Sequence, residues 1–232
     1  MLAGGSGSRV GAPINKAFLP LGERAVAAWS LAALASVDGI GPLVLVVRPE
    51  DRERAEQITG GHTVGAAVEI ITGGIDRQSS ELNALRHLAP QIRCGQVDTV
   101  LIHDAARPLV SPRLINSVLS SAREHGGAVP GLPAPDCAVV SSAPDADGAR
   151  QLAAGHAPRQ LVRVQTPQGF RAEPLLDAYE TAAREGFSGT DTASCVEAFT
   201  NLAVRWVPGE AENFKITFPH DVALAERLIS AR

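Results

Sequence analysis

Residues 99–108, TVLIHDAARP, combine a short apolar run with an aspartate, Asp104, at its end. Two similar runs come earlier in the chain, LVLVV at Leu43–Val47 and AVEII at 67–71. Runs of about five apolar and β-branched residues between turn residues are typical of buried strands in a parallel sheet. Open α/β sheets bind their ligands at the carboxyl ends of such strands. The sequence therefore predicts parallel strands at 43–47, 67–71 and 99–103, with Asp104 at the ligand-binding edge.

Amphipathic stretches separate the apolar runs and predict helices. Ser111 followed by Pro112 is typical of a helix N-terminus, with serine as the cap and proline at the first position. The βαβαβ rhythm favours a doubly wound, mostly parallel sheet with right-handed crossovers, in one domain over residues 1–232. Helices are predicted at 25–35, 52–58, 79–88 and 112 to about 125, and further strands and helices at 161–165, 173–184, 191–199, 203–207, 214–217 and 219–230.

The segment 130–158 interrupts this rhythm. It is rich in Pro, Ala, Gly and Asp, and it contains an alternating run at 137–142 followed by a turn-like PDADG at 144–148. This pattern predicts a protruding β-hairpin arm at about 131–159. Because such arms often pack on another subunit, we expect a homodimer. The alternative is a surface loop without fixed structure.

The overall composition is that of a globular protein. Of the 232 residues, 45% are hydrophobic and 20% are charged, which is enough for a substantial core. The formal net charge of −4 gives no support to binding of nucleic acid or anionic membranes. No apolar run approaches the roughly 18 residues needed to cross a bilayer, and the three separated cysteines predict free thiols in a reducing compartment. We expect a cytoplasmic protein with neither a nucleic-acid nor a membrane partner.

Lysine is almost absent from the chain. Of 21 Lys and Arg residues, only Lys16 and Lys215 are lysines. A coding bias towards arginine explains the general preference but not why these two positions differ. Lysine offers a compact, mobile ammonium, whereas arginine offers a wide planar fork. We therefore expect both lysines to do work that requires an ammonium.

The N-terminal residues 3–9, AGGSGSR, form a glycine-rich loop that ends in Arg9. Glycines let backbone amides approach an anion together, and a terminal arginine adds bidentate reach to phosphate. The loop is not a P-loop, because no Gly-Lys-Ser/Thr follows, and it is not a dinucleotide fingerprint, because Val10 stands where GxGxxG needs glycine. It predicts a phosphate-binding loop, with a flexible terminus as the alternative. Only two residues precede it, so its leading strand is either short or begins upstream.

A set of motifs carries a resemblance over essentially the whole chain. The opening LAGGSGSRVG and NKAFLPLG resemble the signature of sugar-phosphate nucleotidyltransferases. With the later motifs, the chain resembles the family of 2-C-methyl-D-erythritol 4-phosphate cytidylyltransferases, of the non-mevalonate isoprenoid pathway, and its near relative, ribitol-5-phosphate cytidylyltransferase. In chain order the motifs lie at 2–11 (LAGGSGSRVG), 15–22 (NKAFLPLG), 103–108 (HDAARP), 165–168 (QTPQ), 189–191 (GTD) and 213–217 (NFKIT).

The resemblance implies a Rossmann-like domain with a dimerisation arm, CTP as co-substrate and a divalent ion, usually Mg²⁺. The phosphate of the polyol substrate would attack the α-phosphorus of CTP in line, and pyrophosphate would leave. Catalysis of this kind depends on positioning and charge neutralisation, without a covalent enzyme intermediate. Arg9 and Lys16 match the catalytic cations of the family's loop. Lys215 matches a catalytic lysine on a late strand that reaches the phosphates from the opposite side.

Other positions match the family's ligand contacts. Asp104 matches the aspartate near metal and triphosphate, and a hard carboxylate suits Mg²⁺; Glu212 is a weaker metal candidate. The segment 72–80 matches the base-recognition turn, where backbone groups would read the cytosine edge; an ordinary strand-to-helix turn is the alternative. The implied CTP contacts are Ala3, Gly4, Gly5, Gly7, Gly73, Gly74, Asp76, Ser80, Asp104 and Ala105, and the implied polyol-phosphate contacts are Arg107, Arg159, Thr190 and Asp191.

The chain departs from the family pattern at several positions. Asn15 replaces a proline, and Ile75 replaces an acidic residue after the glycine pair. Asp136 lacks the Thr and the Lys that usually follow it, and the register of Arg159 is shifted by one residue. Because the changes cluster in the arm, a ribitol phosphate or other polyol-phosphate cytidylyltransferase stays open, and so does a nucleotide-binding protein without catalysis. His103, in a chain without metal-ligand histidine spacing, is interpreted as structural.

Overall fold

Strands and helices alternate along residues 1–5, 14–60, 65–135 and 161–231, which the computed structural model describes. The strands are β1 (Pro20–Leu21), β2 (Arg24–Ala25), β3 (Leu43–Val47), β4 (Val68–Thr72), β5 (Thr99–Ile102), β6 (Gly126–Pro133), β7 (Val162–Val164), β8 (Gln168–Arg171) and β9 (Ala203–Pro208). The helices are α1 (Val26–Ala35), α2 (Arg52–Thr59), α3 (Arg77–Arg93), α4 (Pro112–His125), α5 (Ala172–Glu185), α6 (Thr192–Phe199) and α7 (Pro219–Ser230). Short 3-10 turns lie at Lys16–Phe18 and Pro49–Asp51.

The central sheet is mostly parallel. β3 pairs with β4 in parallel, and β6 pairs with β9 in parallel. β8 lies between β5 and β6 and is antiparallel to both, and β7 is antiparallel to the end of β6. Leu2 bridges Val46 of β3 and Asp104, two residues after β5, again in parallel. The resulting order is β4–β3–Leu2–β5–β8–β6–β9, which confirms the predicted α/β fold class.

Helices cover both faces of the sheet, because β3 alternates its side chains between two cores. Leu43, Leu45 and Val47 pack in the core that contains buried residues of α1, α2 and α4. Val44 and Val46 pack in the core that contains residues of α3, α5 and α6. All five side chains of β3 are buried, as expected for an interior strand with helices on both sides. The arrangement is the doubly wound architecture that the apolar runs predict.

The residues that lead into the glycine loop join the sheet through an isolated β-bridge at Leu2. Leu2 donates its N–H to His103 O at 2.8 Å, and Leu2 O accepts from Ala105 N at 3.0 Å. On the other side, Ala3 N donates to Val46 O at 2.8 Å. These bonds place the first glycines at the carboxyl edge of the sheet, between β3 and β5. Ligands of open α/β sheets bind at such an edge.

Four strands, the short β1 and β2 together with β6 and β8, were not predicted, and one predicted element is irregular. β6 continues through Pro133 although it contains three glycines and two prolines, so residues 131–133 belong to the sheet rather than to the predicted arm. A Cβ on Gly127 would lie 2.9 Å from the Phe170 ring, so the close packing of β6 on β8 requires glycine. β8 was also missed, and the predicted element at 214–217 has no regular structure. Residues 136–159 of the predicted arm lie outside the described residues.

The other predicted boundaries agree closely with the structure. α4 and α7 span the predicted residues, and α3 extends five residues beyond its predicted end to Arg93. Within the described ranges, no helix is both long enough and apolar enough to cross a membrane.

Candidate active site

A cavity of about 320 Å³ opens at the carboxyl edge of the sheet, beside Leu2. The start of the glycine loop and the turn at Lys16 form one wall, and the first residues of α3 form another. Asp104 and Lys215 line the same cavity. Four stretches that are far apart in sequence therefore meet at one point. The lining includes the predicted ligand residues Ala3, Gly4, Gly5, Lys16, Gly74, Asp76, Ser80, Asp104 and Lys215.

Asp104 is the centre of a cluster of cations. Its Oδ1 accepts from Nη1 of Arg77 at 2.7 Å, and its Oδ2 accepts from Nζ of Lys215 at 2.7 Å. Nε of Arg107 lies 3.9 Å from Oδ2. Burial by itself would raise the pKa of Asp104, but the charges of Arg77 and Lys215 outweigh it and hold the pKa well below the usual range. Asp104 is therefore ionised at neutral pH.

Lys215 is held in the site by its neighbours and not by a strand. Ile216 N donates to Ala106 O at 2.8 Å, which fastens the segment to the turn after β5. The buried Asn213 donates through Nδ2 to Thr166 O at 2.9 Å, and Nη1 of Arg107 donates to Asn213 O at 2.7 Å. The expectation that Lys215 lies on a late strand is therefore wrong. The segment has no strand ladder and is held by the separate backbone and side-chain hydrogen bonds given above.

Asn15, one of the residues that depart from the family pattern, connects the start of the glycine loop with the turn that carries Lys16. Its Nδ2 donates to Ala3 O at the start of the glycine loop and to Oδ2 of the buried Asp51 at 2.9 Å. Its Oδ1 accepts from Ala17 N at 3.1 Å and begins the 3-10 turn that carries Lys16. Nε of Arg48 donates to the same Asp51 oxygen at 2.9 Å. Asn15 thus fixes Lys16 relative to the glycine loop.

The turn before α3 is too tight for side chains at its glycines. Ser80 Oγ accepts from Gly74 N at 3.0 Å and donates to Asp76 O at 2.7 Å. A Cβ on Gly74 would lie 2.5 Å from Cβ of Ser79, and one on Gly73 would lie 2.8 Å from Ser80 Oγ. The helix cap is Asp76, whose Oδ1 accepts from Ser79 N at 2.7 Å. The Ser79 hydroxyl, which donates to the same oxygen at 2.6 Å, and the Ser79 N–H together lower the pKa of Asp76.

Among the predicted polyol-phosphate residues that the structure describes, Arg107, Thr190 and Asp191, none lines the cavity. Asp191 caps α6, with Oδ1 accepting from Ser194 N at 2.9 Å and Oδ2 accepting from Gln168 Nε2 at 3.3 Å. Arg107 is mostly buried and faces Asp104 and Asn213. Thr190 directly precedes the Asp191 cap. Arg9, Gly7 and Arg159 fall outside the described residues.

Only one of the two metal candidates lines the cavity. Glu212 is exposed and does not line the cavity, whereas Asp104 does. Among the residues that the structure describes, no three His, Cys, Asp or Glu side chains approach closely enough to hold a metal by themselves. A protein-only metal centre is therefore not present in this part of the chain.

His103 and Ala105 complete the turn after β5. His103 is fully buried, with Nδ1 at 3.1 Å from Thr166 Oγ1 and Nε2 at 3.3 Å from Arg107 O. Burial lowers the pKa of His103 to about 3, so it is neutral under ordinary conditions. Ala105 is buried and pairs through its backbone with Leu2. Both residues maintain the position of Asp104 between them.

Sequence reasoning missed Arg77. It lies four residues before Glu81, and opposite charges at this spacing share one face of a helix. Nη1 of Arg77 reaches Asp104, and Nε lies 2.9 Å from Oε1 of Glu81. The spacing was visible in the sequence, but the contact with Asp104, 27 residues away, was not.

A glycine loop and converging cations at the edge of a doubly wound sheet define a nucleotide-binding α/β protein of the nucleotidyltransferase type. Comparison with known proteins gives the family. The sequence model of 2-C-methyl-D-erythritol 4-phosphate cytidylyltransferase, IspD, matches residues 1–231. The chain belongs to this family, which confirms the resemblance carried by the motifs.

Individual relatives and solved structures agree over nearly the full length of the chain. The 2-C-methyl-D-erythritol 4-phosphate cytidylyltransferase of Cereibacter sphaeroides is 36% identical over 230 residues, covering 99% of this chain and 95% of the relative. That of Acidobacterium capsulatum is 37% identical, covering 96% and 92%. The crystal structure of the Thermus thermophilus enzyme matches with a TM-score of 0.68 and 33% identity, covering 99% and 97%. The Anaerococcus prevotii 4-diphosphocytidyl-2C-methyl-D-erythritol synthase gives a TM-score of 0.78 at 25% identity, covering 99% and 93%.

Proposed function

We propose that this chain transfers CMP from CTP to 2-C-methyl-D-erythritol 4-phosphate and releases pyrophosphate. The observation that carries the proposal is the contact of Lys215 with Asp104 at 2.7 Å, in a cavity that Lys16 closes from another wall. Both lysines of a chain that otherwise uses arginine thus line one cavity. Membership of the cytidylyltransferase family supplies the nucleotide and the acceptor.

The reaction requires no nucleophile from the protein. An oxygen of the acceptor phosphate attacks the α-phosphorus of CTP, and the bond from that phosphorus to the α,β-bridging oxygen breaks. Pyrophosphate leaves with the electron pair of that bond. Since the attacking phosphate is already anionic, no general base is needed. The residues of the chain act by orienting both substrates and by neutralising charge.

Lys16 and Lys215 supply that charge from different elements. Lys16 lies in the 3-10 turn, and Lys215 lies in the segment after β9. An ammonium has three donors, so Lys215 can keep its bond to Asp104 and still donate to a phosphate oxygen. Ala3, Gly4 and Gly5 line the same cavity, and the amides of Gly4 and Gly5 suit the triphosphate. Arg9 is proposed to act with them, from outside the described residues.

The tight turn before α3 suits the base. We propose that backbone groups of Gly73 and Gly74 read the cytosine edge and that Ser80 Oγ assists. Because Ser80 already bonds to Gly74 N at 3.0 Å, the turn is preorganised. A pocket closed by backbone leaves little room for a purine. Asp76 uses its carboxylate as the cap of α3, so its contact with CTP would be through its exposed edge.

The donor chemistry of the cavity fits one divalent cation, such as Mg²⁺, shared between Asp104 and the phosphates. Magnesium is usually held by one or two carboxylates together with substrate phosphate oxygens and water. Each oxygen of Asp104 accepts one hydrogen bond and retains a further lone pair. A bound cation would neutralise the charge of the triphosphate. Glu212 does not line the cavity, so the proposal for the metal rests on Asp104.

The acceptor site and the assembly are proposed together, because one acceptor contact would come from a second subunit. We propose that Arg107, Thr190 and Asp191 surround the acceptor phosphate, with Arg159 contributed from the arm of a second subunit. Support for a homodimer comes from exposed apolar side chains at the base of the arm. Large apolar patches are uncommon on the surface of a monomer and often mark a contact with another protein. These side chains are Leu161, Val164 and Trp206, which are 38%, 44% and 48% exposed.

A pyrophosphate-release assay tests the function. CTP, ATP, GTP and UTP are each paired with methylerythritol phosphate and with ribitol 5-phosphate, with and without Mg²⁺. We expect release only with CTP, methylerythritol phosphate and Mg²⁺ together. Faster release with ribitol 5-phosphate would reassign the acceptor. No release with any pair would contradict the proposed function, provided that the protein is folded.

A further inference from the structure

Glu81 is a charged residue in the apolar stripe of α3. It shares that stripe with Leu85, Leu88 and Ile92, and its side chain is only 2% exposed. Burial raises the pKa of Glu81, and the charge of Arg77 opposes that rise. Buried ion pairs usually stabilise a fold no better than apolar residues of the same size, because desolvation offsets their attraction. A contribution to stability therefore gives a poor account of Glu81.

Arg77 connects Glu81 to the active site. Its Nε lies 2.9 Å from Glu81 Oε1, an ion-pair contact that is not aligned as a hydrogen bond. Its Nη1 donates to Asp104 Oδ1 at 2.7 Å. Burial alone would lower the pKa of Arg77, but Asp104 and Glu81 together raise it above the usual value. The guanidinium is therefore a permanent cation held between two carboxylates.

Two further helices fix the carboxylate of Glu81. Tyr179 of α5 donates its hydroxyl to Oε2, and Thr192 of α6 donates its hydroxyl to Oε1 at 3.2 Å. Both residues are buried. Thr192 is the first residue of α6 and follows Asp191, a proposed acceptor contact. Glu81 thus links the nucleotide side of the cavity, through Arg77 and Asp104, with the acceptor side, through α6.

We propose that Glu81 is a positioning residue for CMP transfer, which holds Arg77 against Asp104 while both substrates are bound. This inference rests on the proposed function, because it concerns the same site. A guanidinium without Glu81 would be free to turn towards the triphosphate and compete with Lys215 for phosphate oxygens. Asp104 would then lose one of the two donors that orient it. Transfer should be slowed more than CTP binding.

The test begins with Glu81→Gln, which removes the charge and keeps the size. We expect kcat to fall about tenfold while the KM for CTP changes by less than about twofold. A purely structural effect would lower the fraction of folded protein, so each kcat is normalised to the CTP-binding stoichiometry from calorimetry. The matched control is Glu180→Gln. Glu180 joins α5 to α3 through Arg86, with both bonds at 2.8 Å, but it has no contact with Asp104, so its kcat should be unchanged.

A carboxylate placed at a neighbouring position shows whether the charge of Glu81 or its packing determines kcat. Thr192 Oγ1 lies 3.2 Å from the oxygen of Glu81 that faces Arg77, so Glu81→Gln/Thr192→Asp, in which aspartate has nearly the size of threonine, returns a negative charge beside that position. We expect this double variant to recover at least about half of the lost kcat, as a positioning charge requires. Failure to recover it, or a loss below about threefold in Glu81→Gln, overturns the proposal.

If Glu81→Gln does not fold, Tyr179→Phe decides the question. It keeps both charges and removes one bond that orients the carboxylate. We expect kcat to fall about threefold at constant KM for CTP, and an unchanged kcat overturns the proposal. An inactive wild-type protein would contradict the proposed function itself, and this inference with it.

Discussion

The ammonium nitrogen of Lys215 lies 2.7 Å from Oδ2 of Asp104, although 111 residues separate them in the chain. Asp104 lies two residues after β5, in the first half of the sheet, and Lys215 lies in the segment after the last strand, β9. The pair therefore forms only when both halves of the sheet are assembled. The site and the fold depend on the same long-range contact.

Replacing Lys215 by arginine keeps the charge but changes its shape. A planar fork cannot place one donor on Asp104 and another on a phosphate as a mobile ammonium can. We expect Lys215→Arg to lower kcat/KM for CTP by at least about tenfold. The control is Arg113→Lys, which alters an exposed pair with Glu210 at 2.8 Å and should be neutral. Steady-state pyrophosphate release measures both variants, and a Lys215→Arg protein as active as wild type would refute the need for an ammonium.

The free energy of unfolding of an Asp104→Asn variant tests the contribution of the buried charge. The variant leaves Arg77 and Lys215 without their common charged partner. Since both cations are about one third exposed, we expect the free energy of unfolding to fall by only about 1–2 kcal/mol at neutral pH. The pKa of Asp104 is lower in the folded protein than the value of about 3.9 in an unfolded chain. Its contribution to the free energy of unfolding is therefore complete above about pH 5 and is lost as the pH falls below about 4.

Urea unfolding of wild type and Asp104→Asn over this pH range measures the difference directly. A gap between the two proteins that stays constant from about pH 7 to 5 and narrows below about pH 4 agrees with the expectation. A gap that narrows already at about pH 6 would mean that Asp104 takes up its proton far above its expected range.

Gly74→Ala tests the tight turn before α3. The added Cβ would lie 2.5 Å from Cβ of Ser79, so the start of α3 has to move. We expect the KM for CTP to rise at least about tenfold, with a smaller effect on kcat, because base contacts bind CTP equally in the ground and transition states. Gly41→Ala is the matched control, since a Cβ there meets nothing within 4 Å. Equal KM values in the two variants would remove this turn from the nucleotide site.

Asn15→Ala tests the link between the glycine loop and Lys16. The change removes the bonds to Ala3 O and Ala17 N and leaves Asp51 with fewer partners in a buried position. We expect a loss of about 2 kcal/mol in the free energy of unfolding and a higher KM for CTP. Asn116→Ala is the control, because the Asn116 side chain bonds to Pro112 O on the surface. A normal KM for CTP in Asn15→Ala would show that Lys16 keeps its place without this link.

Local sequence signals predict the parts of the fold that depend on local physics. The apolar run LVLVV predicts β3, whose five side chains are all buried. Ser111 followed by Pro112 predicts the start of α4. β6 escaped prediction because Gly-Gly-Ala-Val-Pro-Gly-Leu-Pro has no strand propensity of its own. Its place is decided by β8 and β9 on either side. Tertiary packing overrides local preference in such a strand.

The candidate site likewise contains residues that the sequence predicts and contacts that only tertiary packing decides. The motifs predicted that Lys16, Asp104 and Lys215 belong to one site, and in the structure all three line one cavity. The Glu81–Tyr179 contact spans 98 residues and joins two helices that no periodicity relates. Such a pair follows from how α3 and α5 pack on the sheet, which the sequence of either helix does not specify.

The most direct measurement is the rate of pyrophosphate release from CTP and methylerythritol phosphate by wild type, Lys16→Ala and Lys215→Ala. Circular dichroism first establishes that all three proteins are folded. Because each variant removes charge that stabilises the transferring phosphoryl group, we expect kcat/KM to fall at least about a hundredfold in both, an effect of about 2.7 kcal/mol or more. If both variants retain activity within about twofold of wild type, these two lysines do not hold the triphosphate and the account of the site is wrong.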